Sequence, residues 1–232
     1  MAHIHLIGGE KGGVGKSLMA RVLAQYMIDK EIPFIGFDTD RSHGALMRFY
    51  AGYASPVLVD RYEALDAIVE AAVEQPSRRI LVDLAAQTHD PLVRWMDDGG
   101  VISLADEMAI GVTYWHVMDT GKDSVDLLRK LLDRFGTGMH YVLVRNQVRG
   151  NDFHVLEQSG EQARAQQQFG AKVITLKKLH DGVINKIDAE SSSFWKAKTA
   201  QDAPGVGLGL MDRQRIKMWL RDAYREIDEI GL

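Results

Sequence analysis

A glycine-dense loop near the start of the chain constrains the fold more than any other feature. Residues 9–17 read Gly-Glu-Lys-Gly-Gly-Val-Gly-Lys-Ser, between a short apolar run and a segment with apolar residues at helical spacing. Glycines let backbone N–H groups approach phosphate oxygens, and a helix start adds partial positive charge. Lys16 would reach the β- and γ-phosphates, and the Ser17 hydroxyl would hold Mg²⁺. The sequence therefore predicts a strand–loop–helix unit that binds a nucleotide.

The rest of the chain repeats this alternation of apolar strands and amphipathic helices. Alternating units of this kind predict an α/β fold with a doubly wound, mostly parallel sheet and helices on both faces. Ligands of such sheets lie outside the carboxyl ends of the strands. The predicted strands cover 2–7, 33–37, 79–83, 109–116, 141–144 and 172–176, and the predicted helices cover 16–30, 62–74, 121–135 and 211–228.

Composition limits the class of protein. A chain of 232 residues with 46% hydrophobic residues fits one domain, 1–232, with a full core. The net charge of −4 means that any DNA contact would need a local basic patch. The chain has no cysteine, and no uncharged run approaches the length of a membrane span. No signal peptide is visible before the loop, so we expect a cytoplasmic protein.

Acidic residues follow two of the predicted strands. Asp38-Thr39-Asp40 ends the second strand, and Asp83 ends the third. Phosphoryl transfer needs a metal, a positioned water and charge stabilisation, so we expect Asp83 to hold Mg²⁺ or its water. The alternative is that Asp83 is an ordinary strand end and that Asp38 and Asp40 cap a helix after a turn.

The loop also carries a second lysine, Lys11, within Lys-Gly-Gly-Val-Gly-Lys-Ser. This run resembles the deviant Walker A loop of the ParA/MinD family of P-loop ATPases, in the plasmid partition and transfer accessory type. The resemblance implies that Lys11 reaches across a nucleotide-sandwich dimer to the partner's phosphates. It also implies that Asp40 positions the attacking water and that Asp38 lies near the metal.

The resemblance thus implies an Mg²⁺-dependent ATPase that converts ATP to ADP and phosphate. The implied site divides into three groups of residues. The catalytic residues are Lys11, Lys16 and Asp40; the metal ligands are Ser17, Asp38 and Asp83; the nucleotide is contacted by Gly12, Gly13, Val14, Gly15, Lys16, Ser17, Leu18 and Asn146.

The chain departs from the family pattern at several positions. Arg41 stands where proline often follows the first acidic segment, and alanines follow Asp83-Leu84 where the family usually has proline or glycine. Asn146 ends the fifth predicted strand, where a relative's asparagine or aspartate contacts the base; the alternative is a simple turn residue. The chain lacks an Asn-Lys-x-Asp guanine signature, so ATP is favoured over GTP.

The resemblance implies a switch in which ATP favours a homodimer and hydrolysis, stimulated by a partner protein, releases it. The first hypothesis for its cargo is plasmid DNA or another large body that is segregated or positioned. The alternative is a regulatory or assembly ATPase of a conjugation, secretion or polysaccharide-synthesis machine without DNA binding.

The C-terminal segment 211–228 predicts a basic amphipathic helix. Such a helix could bind DNA without sequence preference, lie on a membrane, or dock on the sheet with a solvated charged face. Asp228 and Glu229 at its end argue against membrane contact. The candidate DNA contacts are Arg213, Arg215, Lys217, Arg221 and Arg225, with Lys186, Trp195, Lys196 and Lys198 nearby in sequence.

Overall fold

The computed structural model describes residues 1–9, 12–40, 44–199 and 207–232. Its centre is a seven-stranded sheet, in the order β3-β2-β4-β1-β5-β6-β7, in which every pairing is parallel. The strands are β1 (His3–Gly8), β2 (Phe34–Asp38), β3 (Ala54–Pro56), β4 (Arg79–Asp83), β5 (Gly111–Met118), β6 (His140–Asn146) and β7 (Lys172–Leu176).

Helices cover both faces of this sheet. One face carries α3 (Tyr62–Glu74), α4 (His89–Asp98), α5 (Val101–Glu107), α6 (Lys122–Phe135), α7 (His154–Ser159) and α8 (Glu161–Phe169). The other carries α1 (Lys16–Asp29), α2 (Ala45–Phe49), α9 (Asp181–Ala189), α10 (Phe194–Thr199) and α11 (Leu210–Ile230).

The central strands are apolar along their whole length because helices bury both faces. In β1, Ile4 and Leu6 enter the core on the side of α3, whereas Ile7 enters the core on the side of α1. All three side chains are at most 3% exposed. The strand order reverses around β1, which places the loop after β1 at the crevice where ligands of such sheets bind.

The predicted α/β fold is confirmed, and most element bounds agree within two residues. The sequence reading missed β3, α2 and several short helices. β3 has three residues and ends in Pro56, which is tolerated because β3 lies at the sheet edge. A signal for α4 was present, since Leu92, Trp95 and Met96 recur at helical spacing and are buried.

The C-terminal helix α11 docks on the sheet face that carries α1. The buried residues of α11 are Ile216, Trp219, Leu220, Ala223 and Ile227. The indole N–H of Trp219 donates to the carbonyl of Lys177 at 2.7 Å. None of the helices in the described ranges has a stretch that is long and apolar enough to cross a membrane.

Candidate functional site

The loop after β1 has the backbone geometry of a phosphate cradle. Gly13 and Gly15 have φ values of 77° and 98°, in the left-handed region that favours glycine. Helix α1 begins at Lys16, and the N–H of Met19 donates to the carbonyl of Gly15 at 3.0 Å. The loop therefore turns directly into the helix start, where the first backbone N–H groups of a helix favour an anion.

Asn146 at the end of β6 and Arg149 in the short turn after it both hydrogen-bond to the backbone of this loop. The amide Nδ2 of Asn146 donates to the carbonyl of Val14 at 2.7 Å, and Arg149 Nη2 donates to the carbonyl of Gly12 at 3.1 Å. A Cβ added at Gly13 would lie 2.6 Å from Arg149 Nη2, and one at Gly15 would lie 1.9 Å from Asn146 Nδ2. Glycine is thus favoured at both positions by φ, and at Gly15 also by the close approach of the buried Asn146 side chain.

Arg149 is held in turn by an acidic residue at the end of β5. Its Nη1 donates to Asp119 Oδ2 at 3.3 Å, and Asp119 Oδ1 accepts from the N–H of Gly121 and the hydroxyl of Ser124. Sequence reasoning missed Arg149 and Asp119. Polar residues after the apolar runs of β5 and β6 were the available signal, but the sequence does not show that their side chains meet over the loop.

Asp83 lies at the centre of the site. Its carboxylate is 2% exposed, and it contacts the Ser17 hydroxyl through a hydrogen bond. Burial and then the charge of Asp38 raise the pKa of Asp83 to about 7, with a further contribution from Asp40; the Ser17 hydrogen bond and the Lys16 charge act in the opposite direction. Asp38, Asp40 and Lys16 are therefore all within electrostatic range of Asp83.

The residues around Asp83 fit a magnesium ion. Among the described residues, Asp83 Oδ1 is a buried oxygen with no hydrogen-bond donor. Such an atom is costly unless a cation or a water pairs with it. Carboxylate and hydroxyl oxygens are the ligands that Mg²⁺ prefers, and Ser17 supplies the hydroxyl. Ser17 and Asp83 would therefore hold the ion or its waters.

Asp38 binds the backbone rather than facing an open site. Its Oδ1 accepts from the N–H of Asp40 at 3.0 Å, and its Oδ2 accepts from the N–H groups of Leu46 and Met47 at 2.8 and 3.2 Å. This is the helix-capping geometry that was the alternative for Asp38, since the carboxylate holds the start of α2. Burial raises the pKa of Asp38, and these backbone hydrogen bonds oppose the rise. Its role near the metal stays a prediction.

Thr39 joins the two acidic segments, and sequence reasoning missed it. The Thr39 hydroxyl donates to the carbonyl of Asp83 at 3.1 Å and accepts from the N–H of Ala85 at 2.7 Å. Just beyond, Gln87 has a φ of 62°, which is uncommon for a residue other than glycine. The turn after β4 is therefore linked directly to the turn after β2.

The other predicted residues fall as follows. Lys11 lies outside the described residues, as does Arg41. Asp40 is close enough to Asp83 to affect its pKa. Val14 is buried, and Leu18 is partly buried against the core beneath the loop. The assignments of these residues to catalysis, metal and nucleotide stay predictions.

The chain is similar in sequence to two known proteins. No protein-family model matches the chain. Over 98% of its length the chain is 23% identical to Protein MobD of Acidithiobacillus ferrooxidans, of which it covers 97%. It is also 24% identical to Protein TraL of Escherichia coli, with 98% of each protein covered. The chain resembles the ParA/MinD-like P-loop ATPases.

Solved structures with a similar course of the chain include two with bound nucleotides. An ADP-bound nucleotide-binding protein from Archaeoglobus fulgidus is 13% identical, with a TM-score of 0.49 over 82% of this chain and 86% of that chain. A protein from Borrelia burgdorferi B31, described as a plasmid partition protein and bound to AMPPNP, is 14% identical, with a TM-score of 0.42 over 96% of this chain and 98% of that chain.

Proposed function

We propose that the chain is a weak, Mg²⁺-dependent ATPase that works as a dimerising switch in plasmid segregation or in the positioning of another large cargo. One observation carries the proposal: Lys16 and Ser17, at the start of α1, meet the buried carboxylate Asp83 beside Asp38 and Asp40. A phosphate cradle, a metal site and a water-positioning acid then lie at one edge of the sheet.

The chemistry follows from position and charge. Loop N–H groups and Lys16 hold the phosphates, and Ser17 and Asp83 hold the metal. Bound Mg²⁺ neutralises negative charge on the phosphate oxygens. Asp40 orients the attacking water, and Lys11 of one protomer approaches the phosphates bound to the other. A crossing cation of this kind is worth roughly 10³–10⁵ in rate in related systems. Turnover is thereby tied to dimerisation.

The solution mass of Asp40→Ala tests the switch. Without the water-positioning carboxylate, hydrolysis slows and the ATP-bound form persists, so we expect a dimer with Mg-ATP and a monomer with Mg-ADP. The conservative variant Asp40→Asn is the matched control for loss of charge alone. A monomer with both nucleotides would mean that Lys11 does not act across a dimer.

The two candidate functions differ in whether the chain binds DNA. Several cations on or near α11 are paired with carboxylates, which reduces the charge available to DNA: Lys186 pairs with Asp212 at 2.7 Å, and Arg221 and Arg225 both pair with Asp222. This observation favours the alternative, a regulatory or assembly ATPase of a conjugation, secretion or polysaccharide-synthesis machine.

Retention on DNA of random sequence separates these candidates. Non-specific DNA binding that requires ATP and falls steeply with salt supports segregation. Absence of retention at low salt, with ATP-dependent capture of a component of such a machine, supports the assembly factor. We propose a cytoplasmic location for either function, and a stimulating partner protein in both.

A further inference from the structure

A groove lies between the end of α2 and the start of α10. It has a volume of about 530 Å³, and its lining includes Ile28, Arg48, Tyr53, Trp195 and Lys196. Tyr53 and Trp195 are 45% and 55% exposed, which is unusual for large aromatic side chains. We call it the α2–α10 groove, and it has a size typical of sites that take small molecules or a few side chains.

A second hollow of about 440 Å³ continues the groove and shares Ile28 and Tyr53 with it. The Tyr53 ring stacks on Phe34 in this hollow, with 5.2 Å between ring centroids, and Arg78 lies at its far side. Neither hollow is closed by the described residues, so side chains of a bound segment can enter both. An exposed apolar strip of this kind marks an interaction site.

The charge of the groove selects its occupant. Among the described residues, the lining of the α2–α10 groove contains two cations, Arg48 and Lys196, and no carboxylate. The second hollow adds the cation Arg78 and the carboxylate Glu31, so cations outnumber carboxylates over the combined surface. The chain as a whole has a net charge of −4, so the groove departs locally from the rest of the molecule. Aromatic rings beside cations fit a segment that presents large apolar side chains next to acidic ones.

The Ile28 end of the groove lies away from the phosphate-binding loop. Ile28 is near the end of α1, whereas Lys16 begins that helix, a separation of about 18 Å along the helix axis. A dimer formed through the nucleotide face therefore leaves this end of the groove open. The occupant is then a partner protein rather than the second protomer of the switch.

A chain of contacts nevertheless links the groove to the site. Asp38, beside Asp83, holds the first N–H groups of α2, and α2 carries Phe49. The guanidinium of buried Arg21 lies 3.6 Å from the centroid of the Phe49 ring and 5.0 Å from that of Phe194, at the start of α10. Both walls of the groove therefore rest on one buried cation.

Tyr50 makes the same link through hydrogen bonds. Its hydroxyl donates to Gln25 Oε1 of α1 at 3.2 Å and accepts from the N–H of Phe194 at 3.3 Å. Because α2 is only five residues long, a change in how Asp38 holds its start also shifts Phe49 and Tyr50 at its end.

We propose that the α2–α10 groove docks an acidic, apolar segment of a partner protein, and that Mg-ATP strengthens this docking through Asp38 and α2. The regulation rests on the proposed function, since it requires nucleotide at the loop. Asp38 already holds the start of α2 in the nucleotide-free chain, and a cation beside Asp83 would strengthen that hold by offsetting the negative charge that the two carboxylates share. Firmer groove walls would lower the entropic cost of binding the segment.

Selection of displayed random 12-residue peptides on the full chain with Mg-AMPPNP tests the proposal. We expect selected peptides to combine acidic and large apolar residues. A labelled copy of one such peptide should bind at least tenfold more weakly to Trp195→Ala/Lys196→Glu, and at least fivefold more weakly without nucleotide. The matched control, Leu210→Ala/Lys217→Glu, changes an exposed leucine and lysine of α11 outside the groove and should bind normally.

Both double variants alter exposed residues, and nucleotide affinity within twofold of the unmodified chain verifies their fold. Peptides without acidic residues, or equal binding to the groove variant, would overturn the docking site. A loss of self-association in the groove variant would assign the groove to a second copy and overturn the partner. Equal binding with and without nucleotide would overturn the regulation.

Failure of the chain to bind AMPPNP would refute the proposed function, whereas peptide binding to the nucleotide-free chain would still report on the groove.

Discussion

The hydroxyl of Thr39 accepts a hydrogen bond from the N–H of Ala85 at 2.7 Å, across the ends of β2 and β4. The same hydroxyl donates to the carbonyl of Asp83 at 3.1 Å, so it uses its donor and an acceptor position together. The segment that carries Asp38 and Asp40 and the segment that follows Asp83 are thereby held as one unit. We therefore expect a change at one segment on nucleotide binding to be passed to the other.

Thr39→Val removes both hydrogen bonds of the hydroxyl while keeping the shape of the side chain; the N–H of residue 39 still donates to the carbonyl of Asp83 at 3.0 Å. We expect ATP hydrolysis to fall at least tenfold, a change of about 1.4 kcal/mol in activation free energy, because the turn after Asp83 loses its hydrogen bond from Ala85 N–H to the segment that carries Asp40. The free energy of unfolding should fall by about 1–3 kcal/mol, since two backbone groups lose a partner. The matched control is Thr113→Val on β5, which removes a buried hydroxyl that hydrogen-bonds to His3 of β1. This variant should leave turnover intact.

Lys16→Ala should abolish useful nucleotide binding, because the β- and γ-phosphates lose their charge partner at the helix start. Truncating one member of a desolvated charge pair costs about 2–5 kcal/mol, or roughly 30-fold to several thousand-fold in affinity. Titration with a fluorescent ATP analogue measures this loss. Lys30→Ala, at the other end of α1 and paired with Asp228 on the surface, should bind the analogue normally. Normal affinity in Lys16→Ala would refute the assignment of the loop.

The sequence predicted the sheet and the site edge well because both follow from local patterns. Strands buried on both faces are continuous apolar runs, and the acids that end β2 and β4 meet because parallel strands end at one edge. The register pairs Asp38 with Asp83 directly. Each strand and the acid that ends it can be read from residues close together in the chain. Only the order of the strands, which makes β2 and β4 neighbours, depends on distant packing.

The sequence did not predict contacts that depend on distant packing. Arg149 reaches the carbonyl of Gly12 only because a short 3₁₀ turn, Gln147–Arg149, follows β6 beside the loop. Helix α2 is too short to carry a helical pattern, and its start is fixed by the Asp38 carboxylate. Asn146 could be read as a polar strand end, but its bond to Val14 involves residues more than a hundred positions apart.

Asp83 should make the stability of the nucleotide-free protein depend on pH. The pKa of Asp83 is about 7 in the folded protein, and its ordinary value, 3.8, applies to the unfolded chain. Between pH 3.8 and about 7 the folded state therefore binds more protons than the unfolded chain. The favourable contribution of protonated Asp83 to the free energy of unfolding is therefore fully present below about pH 4 and is lost as the pH rises through 7. The size of the loss is on the order of a few kcal/mol.

Urea unfolding between pH 5 and 8 tests this prediction. Asp83→Asn should be more stable than the unmodified chain at pH 8 and should show a flatter pH profile. The exposed residue Asp90 provides a control, since Asp90→Asn should keep the profile of the unmodified chain. Equal slopes in the unmodified chain and Asp83→Asn would show that Asp83 is ionised in the free protein. Mg²⁺-nucleotide should bind more tightly as the pH rises to 7, because the metal requires the carboxylate.

Asn146→Asp separates two roles for this residue. The side chain is 1% exposed and its Nδ2 donates to the carbonyl of Val14, so a carboxylate there would repel the loop carbonyl. If Asn146 acts by shaping the loop, affinities for ATP and GTP should fall together by at least tenfold, about 1.4 kcal/mol. If it reads the base, the ratio of the two affinities should change. Asn151→Asp, in the exposed segment just after the 3₁₀ turn, is the matched control and should leave both affinities unchanged. We expect a common loss, because Val14 and Val148 already bind both polar atoms of the Asn146 side chain.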